Sequence, residues 1–251
     1  MELSEIIHKN IKIHAKSEYP NECCGLIVKL NNETISVPCE NTSKTPEKSF
    51  IIDHQEIQKY NSNDIIGFYH SHKDLLDFSL ADIAFSEKLN KFCVLYVVDS
   101  NILKIHKPNG VEIPYVGRPF FLGTLDCFVL FKDYYRRVLN INITLPEIDH
   151  PQRYNVDYWK SKEAEIEFAK LGSPKWINNF LIDNNFTEVK DLKKYDILVF
   201  KLPMFKFECH VGIYLENHQI LHHLSEFSAI ENYKHAYKRA TTHIFRHKTL
   251  I

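Results

Sequence analysis

The sequence predicts an α+β protein of two domains that meet near residue 115. Three observations carry that expectation. Helix-period and strand-period segments interleave along the chain without any internal repeat. The run Ile113-Pro114-Tyr115-Val116-Gly117-Arg118-Pro119 concentrates proline and glycine, which breaks regular structure and marks a connection. Each side of that seam also carries its own reactive set: Glu22, His70, His72, Ser79 and Asp82 before it, Cys127, His210 and His222 after it. The expected domains are therefore residues 1–114 and 115–251.

In the first domain, residues 4–16 start with Ser4 and place Ile6, Ile7, Ile11 and Ile13 on a largely helical repeat that ends before Pro20. Gly25 to Lys29 and Glu33 to Val37 flank Asn31-Asn32 as a hairpin. A short helix is expected over Asp53 to Tyr60, a buried strand over Asp64 to His70, a helix over Ser79 to Asn90 and a core strand over Val94 to Val98. Ile102 to His106 and Val111 to Ile113 flank Pro108-Asn109-Gly110 as a second hairpin. In the second domain, Leu125 to Arg137 is amphipathic, with Cys127, Leu130, Phe131, Tyr134 and Val138 on one helical face. Residues 160–170 and 174–183 read as helices. Tyr195 to Lys201 reads as a strand, His210 to Leu215 and Gln219 to Leu224 as a hairpin, and Thr242 to Arg246 as a last strand.

Composition narrows the function by exclusion. Of 251 residues, 44% are hydrophobic and 25% charged, the balance of a chain that buries a core. A formal net charge of −1 gives no electrostatic reason to expect nucleic acid or an anionic membrane as partner. No apolar run approaches the ~18 residues of a membrane span. Met1-Glu2-Leu3-Ser4-Glu5 carries acids and no following apolar core, so it does not read as a secretion signal, and synthesis in a cytoplasm is expected. The cysteines at 23, 24, 39, 93, 127 and 209 lack both a disulfide-framework spacing and a C-x-x-C pair. Most of them read as small buried apolar groups.

His70-Ser71-His72 sits at a strand end, where a period of two puts both imidazoles on one face. Ser79-x-x-Asp82 then opens a helix and brings a carboxylate in its first turn. Two histidines, one carboxylate and a water form a catalytic rather than a structural zinc geometry. A carboxylate nearby must shuttle the proton, and Glu22, just before Cys23-Cys24-Gly25, is the candidate. The plain alternative is that Ser79 is an ordinary N-cap and Asp82 answers the helix dipole. In order, Glu, H-S-H and S-x-x-D resemble the JAB/MPN metalloprotease family. The resemblance spans roughly residues 1–112 and implies an α/β domain with a mixed sheet. It further implies Zn2+ ligands at His70, His72 and Asp82, acid/base work by Glu22 and oxyanion support from Ser79. Lys73 stands where that family usually has proline, and the spacer Lys73 to Phe78 is one residue shorter than usual.

Asp126 is a plausible N-cap that leaves Cys127 in the first helical turn, where free amides and the helix dipole favour thiolate and lower the thiol pKa. His210, on a strand whose Gly212 permits close approach of a neighbour, is the candidate base, and His222 could orient it. Backbone N–H groups at the helix start are available as an oxyanion hole. The plain alternative is a buried cysteine on an amphipathic helix. Asp126-Cys127, then His210-Val211-Gly212-Ile213-Tyr214-Leu215, then His222 resemble the NlpC-type cell-wall peptidases over about residues 118–230. That resemblance implies a papain-like α+β fold, Cys127 as nucleophile, His210 as general base and His222 as orienting residue. Phe128 and Val129 stand where many members carry small residues.

The order of the two domains, with Asp126-Cys127-Phe128 and Lys132-Asp133-Tyr134-Tyr135, resembles the tail-tip proteins of lambda-like phages. What this implies is a virion component made in the host cytoplasm and acting at the host cell wall or periplasm. Its partners would be peptidoglycan stem peptides and other tail-tip proteins. Its thiol half would cut stems during genome entry, and its metal half would process or dock protein during tail assembly. Two further readings stand beside it: a metallo-isopeptidase with an inactive thiol half, and a non-catalytic structural component of the tail tip.

Overall fold

In a computed structural model the chain forms two compact units, Met1–Glu112 and Ile113–Ile251. The described residues are 3–31, 33–145, 176–203, 205, 207–224 and 226–251. The helix expected at 160–170 lies outside them, as do the first two residues of the one expected at 174–183.

The first unit is a five-stranded mixed sheet with helices, ordered β2-β1-β3-β4-β5. Its strands are β1 (Cys24–Leu30), β2 (Glu33–Cys39), β3 (Ile65–His72), β4 (Phe92–Val97) and β5 (Ile102–His106), and its helices are α1 (Glu5–Glu18), α2 (His54–Gln58) and α3 (Leu80–Leu89). Among the described strands only β3 and β4 pair in parallel, with α3 as the crossover between them. Residues Cys24 to Val28 of β1 are buried without alternation, because the sheet is covered on both faces. On one face Leu3, Ile7, Ile11 and Ala15 of the α1 side pack on Ile27, Tyr69, Val94 and Tyr96. On the other, Cys24, Leu26, Val28, Cys39 and Ile65 pack with Phe50, Ile52, Ile57 and Tyr60. His70 and Phe68 stand opposite Cys24 and Leu26 and therefore share this second face.

Two expectations need correction here. Ile6 and Ile13 are 71% and 57% exposed, because the spacing that meets the sheet is Leu3, Ile7, Ile11, Ala15. Val111 to Ile113 form no strand. The Glu87 carboxylate instead takes the backbone N–H groups of Asn109 and Gly110, and β5 finds its antiparallel partner in β4.

The second unit is a six-stranded antiparallel sheet, ordered β10-β9-β8-β7-β11-β6. Its elements are α4 (Cys127–Leu139), α5 (Trp176–Asp183), β6 (Phe186–Glu188), β7 (Ile197–Phe200), β8 (His210–Tyr214), β9 (Gln219–His222), β10 (Ala229–Asn232), α6 (His235–Ala240) and β11 (Thr241–His247). The buried face of α4 is Cys127, Leu130, Phe131 and Tyr135. Val138 is exposed and Tyr134 only partly buried, so the stripe turns further than the sequence reading placed it. The stripe packs with Val211 and Ile213 of β8 and Leu221 of β9. Strands β6 and β10 and helix α6 lack an apolar period and were not expected.

Ile11 is fully buried while Ile6 is not. Ile11→Ala is expected to cost roughly 2–5 kcal/mol in denaturant unfolding, and Ile6→Ala less than about 0.5 kcal/mol. Equal losses would mean that α1 meets its sheet on a different face.

Candidate functional sites

In the first unit, β3 carries His70 and His72 to its end on one face, and the start of α3 brings up Asp82. The Nε2 atoms of His70 and His72 are 3.2 Å apart, and Asp82 Oδ2 lies 3.4 Å from the first and 3.6 Å from the second. Zinc bound at about 2.0–2.1 Å in a tetrahedron sets donor–donor edges of about 3.3–3.4 Å. The triangle therefore has the size and the donor set that the ion requires, and all three residues are buried. Each outer nitrogen is also held. His72 Nδ1 donates to the Leu75 carbonyl at 3.3 Å, and His70 Nδ1 sits 3.5 Å from Cys93 Sγ. Phe50 stacks on the His70 ring with centroids 4.8 Å apart. Contacts of this kind fix ring orientation and tautomer.

Ser79 caps α3 and forms a capping box with Asp82: the Asp82 N–H donates to Ser79 Oγ at 3.2 Å, and the Ser79 N–H donates to Asp82 Oδ2 at 2.7 Å. The cap and the ligand geometry thus coexist in one pair of residues, and the shorter spacer still delivers Asp82 to the histidines. Burial works to raise the Asp82 carboxyl, but His70 and Ser79 outweigh it and hold the carboxyl well below its ordinary range. Glu22 Oε1 lies 3.9 Å from His72 Nε2. Burial raises the Glu22 carboxyl to about 7, against the pull of His70 and with help from Asp82. A carboxyl poised there can both take and return a proton near neutrality.

In the second unit, Asp126 accepts the N–H groups of Phe128 and Val129 at 3.0 Å each and so starts α4 at Cys127. Cys127 packs in one core cluster with Val211, the residue after His210. The His210 ring stacks on Phe200, and its Nε2 lies 3.2 Å from Nδ1 of His222. Gly212 is paired with His222, and a Cβ on it would meet the His222 Cβ and the Phe200 ring at 3.2 Å. Glycine there is what lets the two histidines close up.

One sequence expectation reverses. Burial raises the Cys127 thiol, with the Asp126 carboxylate adding to it, and the amides that favour thiolate do not compensate. Burial also pushes His210 well below its ordinary value, helped by His222 and His223. Desolvation penalises both charged forms and exceeds the helix-terminus effect. Both shifts favour the neutral forms, a thiol at Cys127 and an uncharged imidazole at His210.

Beyond His222 stand two residues the sequence reading missed. Glu231 Oε1 is 3.7 Å from His222 Nε2, longer than a hydrogen bond, and Tyr237 donates its hydroxyl to the other Glu231 oxygen at 2.5 Å. The short β10 gave no periodic signal by which to place Glu231 beside the histidines. Cys93 and Phe50 were missed for a similar reason, since each reaches His70 from a separate element.

Residues 117–247 match the NlpC/P60 family, and the chain belongs to that family. Residues 4–111 match the prokaryotic homologs of the JAB domain. The whole arrangement is similar to Tail tip assembly protein K of Escherichia phage N15, at 26% identity over 225 residues, covering 85% of this chain and 82% of the phage protein. Among solved structures, a JAB1/MPN domain protein from Archaeoglobus fulgidus is similar at 22% identity and a TM-score of 0.27, covering 43% of this chain and 87% of that one. An NlpC/P60 family protein from Bacillus cereus is similar at 13% identity and a TM-score of 0.32, covering 92% of this chain and 65% of that one. JAB/MPN domains often bind zinc, and the His70, His72 and Asp82 cluster suits that ion. Among the described residues no helix is long and apolar enough to cross a membrane.

His223 is wholly buried against the Phe120 ring, and burial with the Arg118 guanidinium beside it lowers its pKa from 6.5 to about 4. Between those values the unfolded chain binds the proton and the folded one does not, so stability present above 6.5 is lost as pH falls toward 4. Calorimetry is expected to show the melting temperature falling through that window, with His223→Leu flattening the fall. A His223→Leu profile parallel to wild type would place the acid sensitivity elsewhere.

Proposed function

We propose that this chain is a phage tail-tip component whose second unit is a thiol endopeptidase for the peptide stems of peptidoglycan. On this reading residues 115–251 open the host wall during genome entry. Residues 1–114 form a zinc domain that processes or docks a protein partner during tail assembly. The protein is then carried in the virion and acts at the host cell wall. The observation that carries the peptidase reading is the convergence of three elements. Helix α4, which begins at Cys127, packs on β8 and β9, and those strands hold His210 and His222 with ring nitrogens 3.2 Å apart. Membership of the NlpC/P60 family and similarity to a tail tip assembly protein support it.

The chemistry follows from the neutral thiol and the neutral imidazole. As the Cys127 sulfur attacks a stem carbonyl, its proton passes to His210, and His222 holds the imidazole in place. Amides at the start of α4 face the developing oxyanion. The His210 proton then goes to the departing amine, and water releases the acyl group from sulfur by the same base. Because charge appears only along the reaction, substrate must supply part of the water exclusion that makes proton transfer efficient.

For the first unit, His70, His72 and Asp82 would hold zinc, which supplies a Lewis acid and a water of lowered pKa. Glu22 would take that proton and pass it to a leaving amine, and Ser79 would face the oxyanion. A second reading makes this unit the working enzyme, a metallo-isopeptidase, with the thiol unit inactive. The zinc-sized triangle and the neutral-range Glu22 favour it.

Purified sacculi separate these readings. Wild type is expected to release stem fragments, Cys127→Ala to lose at least about a thousandfold in rate, and His72→Ala to keep the release while losing bound zinc by elemental analysis. Release that survives Cys127→Ala but not His72→Ala would transfer the activity to the first unit. Absence of both release and zinc in wild type would leave a structural tail-tip part.

A further inference from the structure

The strand register sets three ionisable side chains in a row. His222 is paired with Gly212 on β8 and with Ala229 on β10. Its diagonal neighbours, two residues along each flanking strand, are His210 on one side and Glu231 on the other. All three project from the same face, with gaps of 3.2 Å from His210 to His222 and 3.7 Å from His222 to Glu231. Tyr237 of α6 closes the row, donating to Glu231 at 2.5 Å and setting its ring edge-on to His222 at 5.0 Å.

A neutral imidazole has one N–H and one lone pair, so a chain of two imidazoles has only two internally consistent settings. A carboxylate is acceptor only and selects one of them. With the Glu231 charge 3.7 Å from Nε2, the favoured setting puts the His222 proton on Nε2 and its lone pair on Nδ1. That lone pair requires a proton on Nε2 of His210. The His210 lone pair is then left on Nδ1, the ring nitrogen not turned toward His222. We propose that Glu231, held by Tyr237, is a positioning residue that sets both tautomers so that His210 Nδ1 is the base for the Cys127 thiol. This rests on the thiol-peptidase reading and extends it from three residues to five. When His210 takes the thiol proton, its Nε2–H already points at His222, and the Glu231 charge stabilises the imidazolium through that neighbour. No proton needs to reach Glu231. The side chain of Glu231 is 47% exposed, so solvent screens its charge and its effect is smaller than that of a buried triad carboxylate.

Among the described residues, the groups facing His222 are His210 on β8, Glu231 on β10, Tyr237 on α6 and its own neighbour His223. Removing the one carboxylate among them makes the dyad harder to protonate. The test is the rate of Cys127 alkylation by iodoacetamide across pH in the full chain, read by mass spectrometry of the Cys127 peptide. Glu231→Gln is expected to slow alkylation about tenfold at neutral pH and to move the acid limb to lower pH. Glu231→Asp is expected to keep the limb near its wild-type position, and Tyr237→Phe to give a smaller loss in the direction of Glu231→Gln. An unchanged profile in Glu231→Gln overturns the proposal, and so does a slower rate with the acid limb unmoved, which is what a merely structural residue would give. Alkylation reads the relay without a peptide substrate. Failure of wild type to release stems would therefore count against the peptidase reading and leave this result standing or falling by itself.

Discussion

Dehydration of the Cys127 thiol and of the His210 imidazole is the constraint on which the second unit depends. Cys127 and His210 are buried among apolar neighbours, and both charged forms are penalised there. A protein that needed a standing thiolate–imidazolium pair would have to offset that penalty with nearby charge, yet the carboxylate next to Cys127 is the Asp126 cap, which pushes the thiol the wrong way. What the fold provides is direction. The cap starts α4 at the cysteine, Gly212 lets β9 approach, and Phe200 stacks against the His210 ring. On the proposed thiol-peptidase reading, geometry is fixed in advance and charge separation is deferred to the reaction.

The first unit solves a similar problem with the opposite sign. Its buried carboxylates are close to imidazoles, and one residue serves two purposes: Asp82 completes the capping box and turns the same Oδ2 toward His70 and His72. Helix start and candidate ligand set are therefore coupled, since a change that loosens the cap also moves a carboxylate of the proposed zinc site. Glu22 belongs to this environment as well. Its raised pKa is a consequence of burial beside Asp82, and a cation bound in the triangle would favour its ionised form.

Much of this was legible in the sequence because the decisive features are local. H-x-H on a strand, S-x-x-D at a helix start and Asp126-Cys127 each fix their own geometry through a period or a cap. So do the hairpins around Asn31 and Asn217, where backbone φ of 48° and 58° suits asparagine. What stayed hidden depends on partners far away in the chain. Ile6 and Ile13 look like core until the angle at which α1 meets the sheet is known. Whether Val111 to Ile113 pair was settled by Glu87 on another element. Glu231 gains its place only from the register of β9 with β10. The thiol pKa was misjudged because a helix terminus is visible in sequence and the depth of burial is not.

The account stands most directly on the protonation state of the resting histidines. Nitrogen NMR of the full chain labelled at histidine, at neutral pH, reads that state for each ring, with His210→Ala and His222→Ala assigning the signals. Two neutral imidazoles that share one hydrogen bond, His210 Nε2 to His222 Nδ1, is the predicted result. An imidazolium at His210 in the resting protein would contradict it, and would show that charge, not geometry, is what the fold stores at this site.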